Sequence, residues 1–207
     1  MAKQHTVKQG EHVTRIATQY GFLDYRPIWD HPQNANLVKL RKSPNILFPG
    51  DSLFIPDKQA KTEKVPTGKA HKFRLTAPKL KLRIVVKDID DNPVANVDCE
   101  LELEGKVHKI KSDKDGLIEQ EIPAAAESGK LRVPSLDFEI PVKIGHLDPI
   151  DEESGWKARL TNLGYHHGDD ALRLKYAIEE FQCNQGVSIT GKFDAATLSK
   201  LREVHGD

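Results

Sequence analysis

Nine histidines and 31 acidic side chains are the raw material for metal or acid–base chemistry, so their spacing comes first. His166-His167 followed by Asp169-Asp170 offers ligand-type groups, but adjacent side chains diverge and no third ligand stands at a defined spacing. A polar loop between helices accounts for them. Asp88, Asp90 and Asn92 open like a calcium loop, yet the sixth position is Pro93 and the twelfth is Cys99. Calcium loops place glycine and glutamate there, so a turn is the reading. Asp113-Lys114-Asp115-Gly116 is a hairpin turn on the same grounds. The two cysteines, Cys99 and Cys183, are far apart and form no C-x-x-C metal spacing. Cys99 is in phase with Val97, Leu101 and Leu103, which predicts a buried strand thiol. No G-x-S-x-G, H-E-x-x-H or Cys/His pairing in a recognisable context occurs. A nucleophile with a base, a carboxylate pair in a cleft or a metal triad is what an enzyme needs. The residues therefore predict a non-enzymatic protein without metal or cofactor.

Composition narrows the partners. With 31 basic residues against 31 acidic ones the formal charge is zero, so no global field draws the chain to nucleic acid or an anionic membrane. The short basic cluster Lys39, Arg41, Lys42 reads as a solvated face. Charged residues make up 30% and apolar ones 38%, which suits small modular domains. No segment approaches the ~20 apolar residues of a membrane span, so no membrane insertion is expected. The start, MAKQHTVKQGEHVTR, carries no apolar h-region. The expectation is a chain made in the cytoplasm and carried elsewhere, if at all, by a route other than general secretion.

Three kinds of periodicity divide the 207 residues. In residues 1–56, extended runs at Thr6–Lys8 and Ser52–Ile55 bracket helical material. Ile16, Ala17 and Tyr20 recur at helical spacing and Gly21 ends the helix. Ile28-Trp29 with Leu37 and Leu40 supply the apolar face of a second helical region, broken at Asp30-His31-Pro32. Residues 57–69 hold only Ala60 and Val65 as apolar residues and read as a linker. From 70 to 145 the period is two, with turn signals between short alternating runs, which predicts an antiparallel β-sandwich. From 150 to 207 it returns to 3.6: Trp156, Leu160 and Leu163, then Leu174, Ile178 and Phe181, then Leu198 and Leu201 behind a capping Asp194. The fold class is multidomain α+β ending in a three-helix bundle.

These patterns carry family resemblances. Thr6, Val7, Gly10, Glu11, Tyr20, Gly21, Pro49, Gly50, Leu53, Ile55 and Pro56 stand in the order of a LysM module, a β-α-α-β unit. That resemblance implies a groove between the loop after strand one and the loop before strand two. Gly10, Glu11, His12 and Val13 would face Pro44, Asn45, Ile46 and Leu47 across it and take peptidoglycan or another GlcNAc-containing glycan. The family often has Asp-Thr or Asp-Ser where this chain has Glu11-His12. The W-D-H-P-x-N-A insert resembles a LysM subtype associated with phage tails and type VI secretion clusters. The D-x-x-x-N-P-V-x-N-V stretch resembles Ig-like and carboxypeptidase-regulatory-like sandwiches, which are mostly spacers. Leu160, Leu163, Gly164, Tyr165, Ala177, Ile178, Phe181, Gln182, Gly186, Thr190, Gly191, Asp194, Thr197 and Leu198 resemble the PGBD-like peptidoglycan-binding fold. That family's D-G-x-[FY]-G loop is replaced here by HHGDDALRLKY.

Two functions follow from the resemblances. One is a glycan-binding protein that tethers or positions a partner at the cell wall. The other is an adaptor or baseplate-associated component of a contractile injection system, touching a spike, tube or effector protein and delivered by it to the periplasm or cell exterior. The N-terminal module is expected to be the better glycan binder and the C-terminal bundle a scaffold.

Overall fold

The computed structural model describes residues 2–59, 64–72, 80–88, 92–166 and 168–206. Its sheets are antiparallel and its helices lie at the two ends of the chain, a mixed α+β arrangement.

At the N-terminus, β1 (Lys3–Thr6) pairs antiparallel with β2 (Ser52–Ile55), in register from Lys3 opposite Ile55 to Thr6 opposite Ser52. The ladder sits earlier than the Thr6–Lys8 run the sequence suggests. Val7 exchanges bonds with the Pro49-Gly50 turn instead, donating to Asp51 O and accepting from Gly50 N, and its side chain is buried. Between the strands lie α1 (Val13–Gln19), α2 (Arg26–Trp29) and α3 (Ala35–Arg41).

Pro32 explains the break between α2 and α3. It has no N–H to continue α2, and it holds the preceding His31 extended, with ψ of 134°. Asn34, 2% exposed, secures the broken segment. Its Nδ2 donates to Ile28 O at 2.7 Å and Phe54 O at 2.9 Å, and its Oδ1 accepts from Phe54 N at 2.8 Å. The insert thereby bonds sideways onto β2. Leu40 does not join the apolar face; it is exposed. In a seven-residue helix Arg41, one turn beyond Leu37, continues the inward face, and it is half-buried in a bidentate pair with Asp51 at 2.8 and 2.9 Å.

Among the described residues, six strands build the middle of the chain. β3 (Leu80–Val85) pairs with β6 (Leu117–Ile122). The four-stranded sheet runs β5 (Lys106–Lys111), β4 (Asp98–Leu103), β7 (Ser128–Val133), β8 (Phe138–Lys143). Alternation decides the faces: Cys99, Leu101, Leu103, Leu131, Val133, Ile118 and Ile122 are buried together. The opposite face of the large sheet is a ladder of alternating charge, Lys109–Glu100–Arg132–Glu139, which water solvates. Lysines on β5 and Pro141 on β8 blunt its two edges.

At the C-terminus are α4 (Glu153–Asn162), α5 (Ala171–Asn184) and α6 (Ala195–His205). Asp170 and Asp194 cap α5 and α6 by accepting from backbone N–H groups of the first turn. Leu160, Ile178, Phe181 and Leu201 form the core, with Tyr165 edge-on to Phe181. Gln182, fully buried, pins the loop before α6. Its Oε1 accepts from Thr190 N and Gly191 N, and its Nε2 donates to Lys192 O and Thr197 Oγ1.

The three cores are separate, and a short stretch links the last two. Ile144 belongs to the sandwich core and Ile150 to the helical core. Buried Arg159 fastens the far end of this stretch, donating to Asp148 O at 2.7 Å and Gly155 O at 3.0 Å.

Candidate functional site

The residues expected to line a groove fall on the two loops that flank β1 and β2. These loops meet directly, because Val13 N donates to Pro44 O at 2.9 Å. Around that bond the second loop stays near the surface: Asn45 is exposed, Pro44 and Ile46 are half-buried, and Leu47 is 5% exposed and part of the core.

The first loop is different. Gly10, Glu11, His12 and Val13 are all buried. Glu11 turns inward. His5 Nε2 lies 2.8 Å from its Oε2, Lys8 N donates to the same oxygen at 2.9 Å, and Gln19 Nε2 donates to Oε1. His5 Nδ1 in turn meets Tyr20 Oη at 3.1 Å. Burial raises the Glu11 carboxyl, but the bonds from His5, Lys8 and Gln19 outweigh it and hold the group below the usual carboxylate range. This carboxylate belongs to the frame of the loop.

His12 caps α1. Its Nδ1 accepts from Arg15 N at 3.3 Å, so the proton of the neutral ring resides on Nε2. That Nε2 is buried and has no hydrogen-bond partner among the described residues. Burial, then the nearby Arg15 charge, push the imidazole down to about 4, so it is neutral at pH 7.

What covers the first loop is the stretch after β8. Gly10 and Gly145, with φ of 83° and 77°, stand back to back. A Cβ on Gly145 would come within 2.8 Å of Gly10 O and 3.3 Å of His12 Cδ2, and one on Gly10 would meet the His146 ring at 2.9 Å. Only two glycines allow this backbone approach. Polar contacts ring it. Gln9 Nε2 donates to Asp148 Oδ1 at 3.2 Å, Arg15 pairs with Glu127, and Arg41 Nη1 reaches Glu152 Oε1 at 3.4 Å. The expected groove is thus brought together as two loops, with its first half under Gly145 and His146. The sequence gives no local sign of that covering, because Gly145 and His146 lie more than a hundred residues from the loop they cover.

Elsewhere the chemistry is sparse. Asp90 and His167 lie outside the described residues. Among the described residues no group of three or more His, Cys, Asp or Glu is placed to hold a metal ion, and no helix is long and apolar enough to cross a membrane. A depression of about 410 Å³ on the large sheet is lined by Cys99, Glu100, Lys109 and Pro134 among others. Burial and then the Asp98 charge push the Cys99 thiol up, which disfavours the thiolate that a nucleophile requires.

No family model, curated protein or solved structure matches this chain.

Proposed function

We propose that this protein is a non-enzymatic cell-wall glycan-binding protein that positions a partner at peptidoglycan. The LysM-like and PGBD-like patterns at its two ends motivate the reading. The observation that carries it is the meeting of the two strand-flanking loops through Val13 N and Pro44 O, with Asn45 exposed beside that bond. Backbone groups and small apolar surfaces of this kind suit the N-acetyl groups and flat faces of a GlcNAc polymer. Pull-down of the full chain with insoluble peptidoglycan or chitin at low salt tests it. Retention is the expected result, and none beside a working LysM control ends the idea.

A second reading is favoured by the burial of Gly10, Glu11, His12 and Val13 under Gly145 and His146. A loop sealed by its own chain suits a rigid part that works through protein contacts, as an adaptor in a contractile injection machine. Co-purification with a spike, tube or effector protein, without glycan retention, would select it.

A further inference from the structure

We infer that residues 144–148 act as an intramolecular plug for the N-terminal groove, so that a GlcNAc polymer and the plug compete for the surface of Gly10 and His12. This rests on the glycan-binding reading above.

Three observations carry it. First, the plug occupies the space directly over Gly10 and the edge of His12. The paired glycines let Gly145 approach Gly10 O closely, and the His146 ring lies over Gly10. A sugar N-acetyl group seeking the peptide groups of this loop needs the same space. Second, His12 Nε2 is buried, without a partner among the described residues, on the ring edge that lies against Gly145. Buried polar groups are nearly always hydrogen-bonded, so an orphan marks a position where a partner belongs. A sugar hydroxyl or acetyl oxygen entering as the plug leaves would satisfy it. Third, the plug keeps its own anchors in Ile144 and Asp148, and what joins it and its flanks to the N-terminal unit is a few side-chain contacts, Gln9 to Asp148, Arg15 to Glu127 and Arg41 to Glu152. Glu127, which pairs with Arg15, is exposed, and Glu152, which pairs with Arg41, is half-buried. The arginines are largely covered, at 23% and 9% exposure, but the solvated glutamate of each pair lets salt weaken it, so the N-terminal unit can lift off the plug.

The direct test is the double variant Glu127→Arg, Glu152→Arg in the full chain. Both positions lie outside the groove and on the solvent side, so the three cores stay intact. Each reversal sets a like charge against Arg15 or Arg41. Amide exchange should accelerate at residues 10–13 and 144–148. Retention on insoluble chitin, an uncharged polymer that does not respond to the added positive charge, should rise roughly tenfold. His146→Ala, which removes the ring over Gly10, should act in the same direction. Unchanged exchange at 10–13 in the double variant overturns the plug. Faster exchange with equal retention of both proteins also overturns it, while leaving glycan binding standing. Absence of retention by either protein on chitin and on peptidoglycan removes the glycan reading, and the plug with it.

Discussion

His12 makes the acid sensitivity of the N-terminal unit calculable. Its imidazole moves from 6.5 to about 4 because it is buried beneath Gly145 and beside Arg15. Between those values the unfolded chain binds a proton that the folded chain refuses. Stability is therefore complete above pH 6.5 and declines as pH falls toward 4. One pKa unit corresponds to about 1.4 kcal/mol, so the full difference is about 3 kcal/mol, of which about 2 is lost between pH 7 and pH 4.5. Urea unfolding read by Trp29, buried in the N-terminal core, measures it, with Trp156 replaced by Phe so that only one unit reports. Glu11, held below the ordinary carboxylate range by its hydrogen bonds, begins to lose its own contribution only as pH falls through the unfolded carboxylate range, so stopping at pH 4.5 keeps that loss small beside that of His12. His205, also depressed by burial, sits at the C-terminal end and does not report through Trp29. His12→Asn retains a side-chain acceptor for Arg15 N but cannot titrate, so its stability should change by less than about 0.5 kcal/mol over the same range. A wild-type protein equally stable at both pH values would refute the argument. So would a His12→Asn variant that keeps the full pH slope.

Other outcomes follow from single side chains. Asn34→Ala should cost the N-terminal unit about 2–3 kcal/mol in urea unfolding, because Phe54 N and the Phe54 carbonyl lose the partner that Asn34 provides, while the Ile28 carbonyl keeps only its bond from His31 N. Gln182→Leu should destabilise the helical unit by a similar amount, about 2–3 kcal/mol, and speed amide exchange at Thr190 and Gly191, whose N–H groups lose their acceptor. Asn45→Glu should abolish peptidoglycan retention with the thermal midpoint unchanged, since Asn45 is exposed. Leu47 is unsuitable for that experiment, because a charge at a core position would unfold the unit.

Much of the local structure was legible because it depends on residues close in sequence. Alternation at Val97, Cys99, Leu101 and Leu103 needs only the pleat of a strand, and Cys99 is buried as its phase predicts. Asp194 caps α6 because its carboxylate reaches N–H groups three residues on. The break at His31-Pro32 follows from the steric demand of one proline ring. Contacts between distant residues obey no such local rule. Leu40 matches the helical pattern yet lies in water, because Asp51, ten residues on, draws Arg41 inward instead. The Glu11 carboxylate looks like a groove residue until His5 and Gln19 are folded around it. The loop Gly10 to Val13 carries the same letters whether open or sealed. Its burial depends on Gly145 and His146, more than a hundred residues away, and on Gln9 reaching Asp148 and Arg15 reaching Glu127. Backbone geometry and side-chain period act over a few residues, and they determine the elements. Which surface covers which is settled only when whole units pack and desolvate one another, so the state of the candidate groove belongs to the tertiary structure alone.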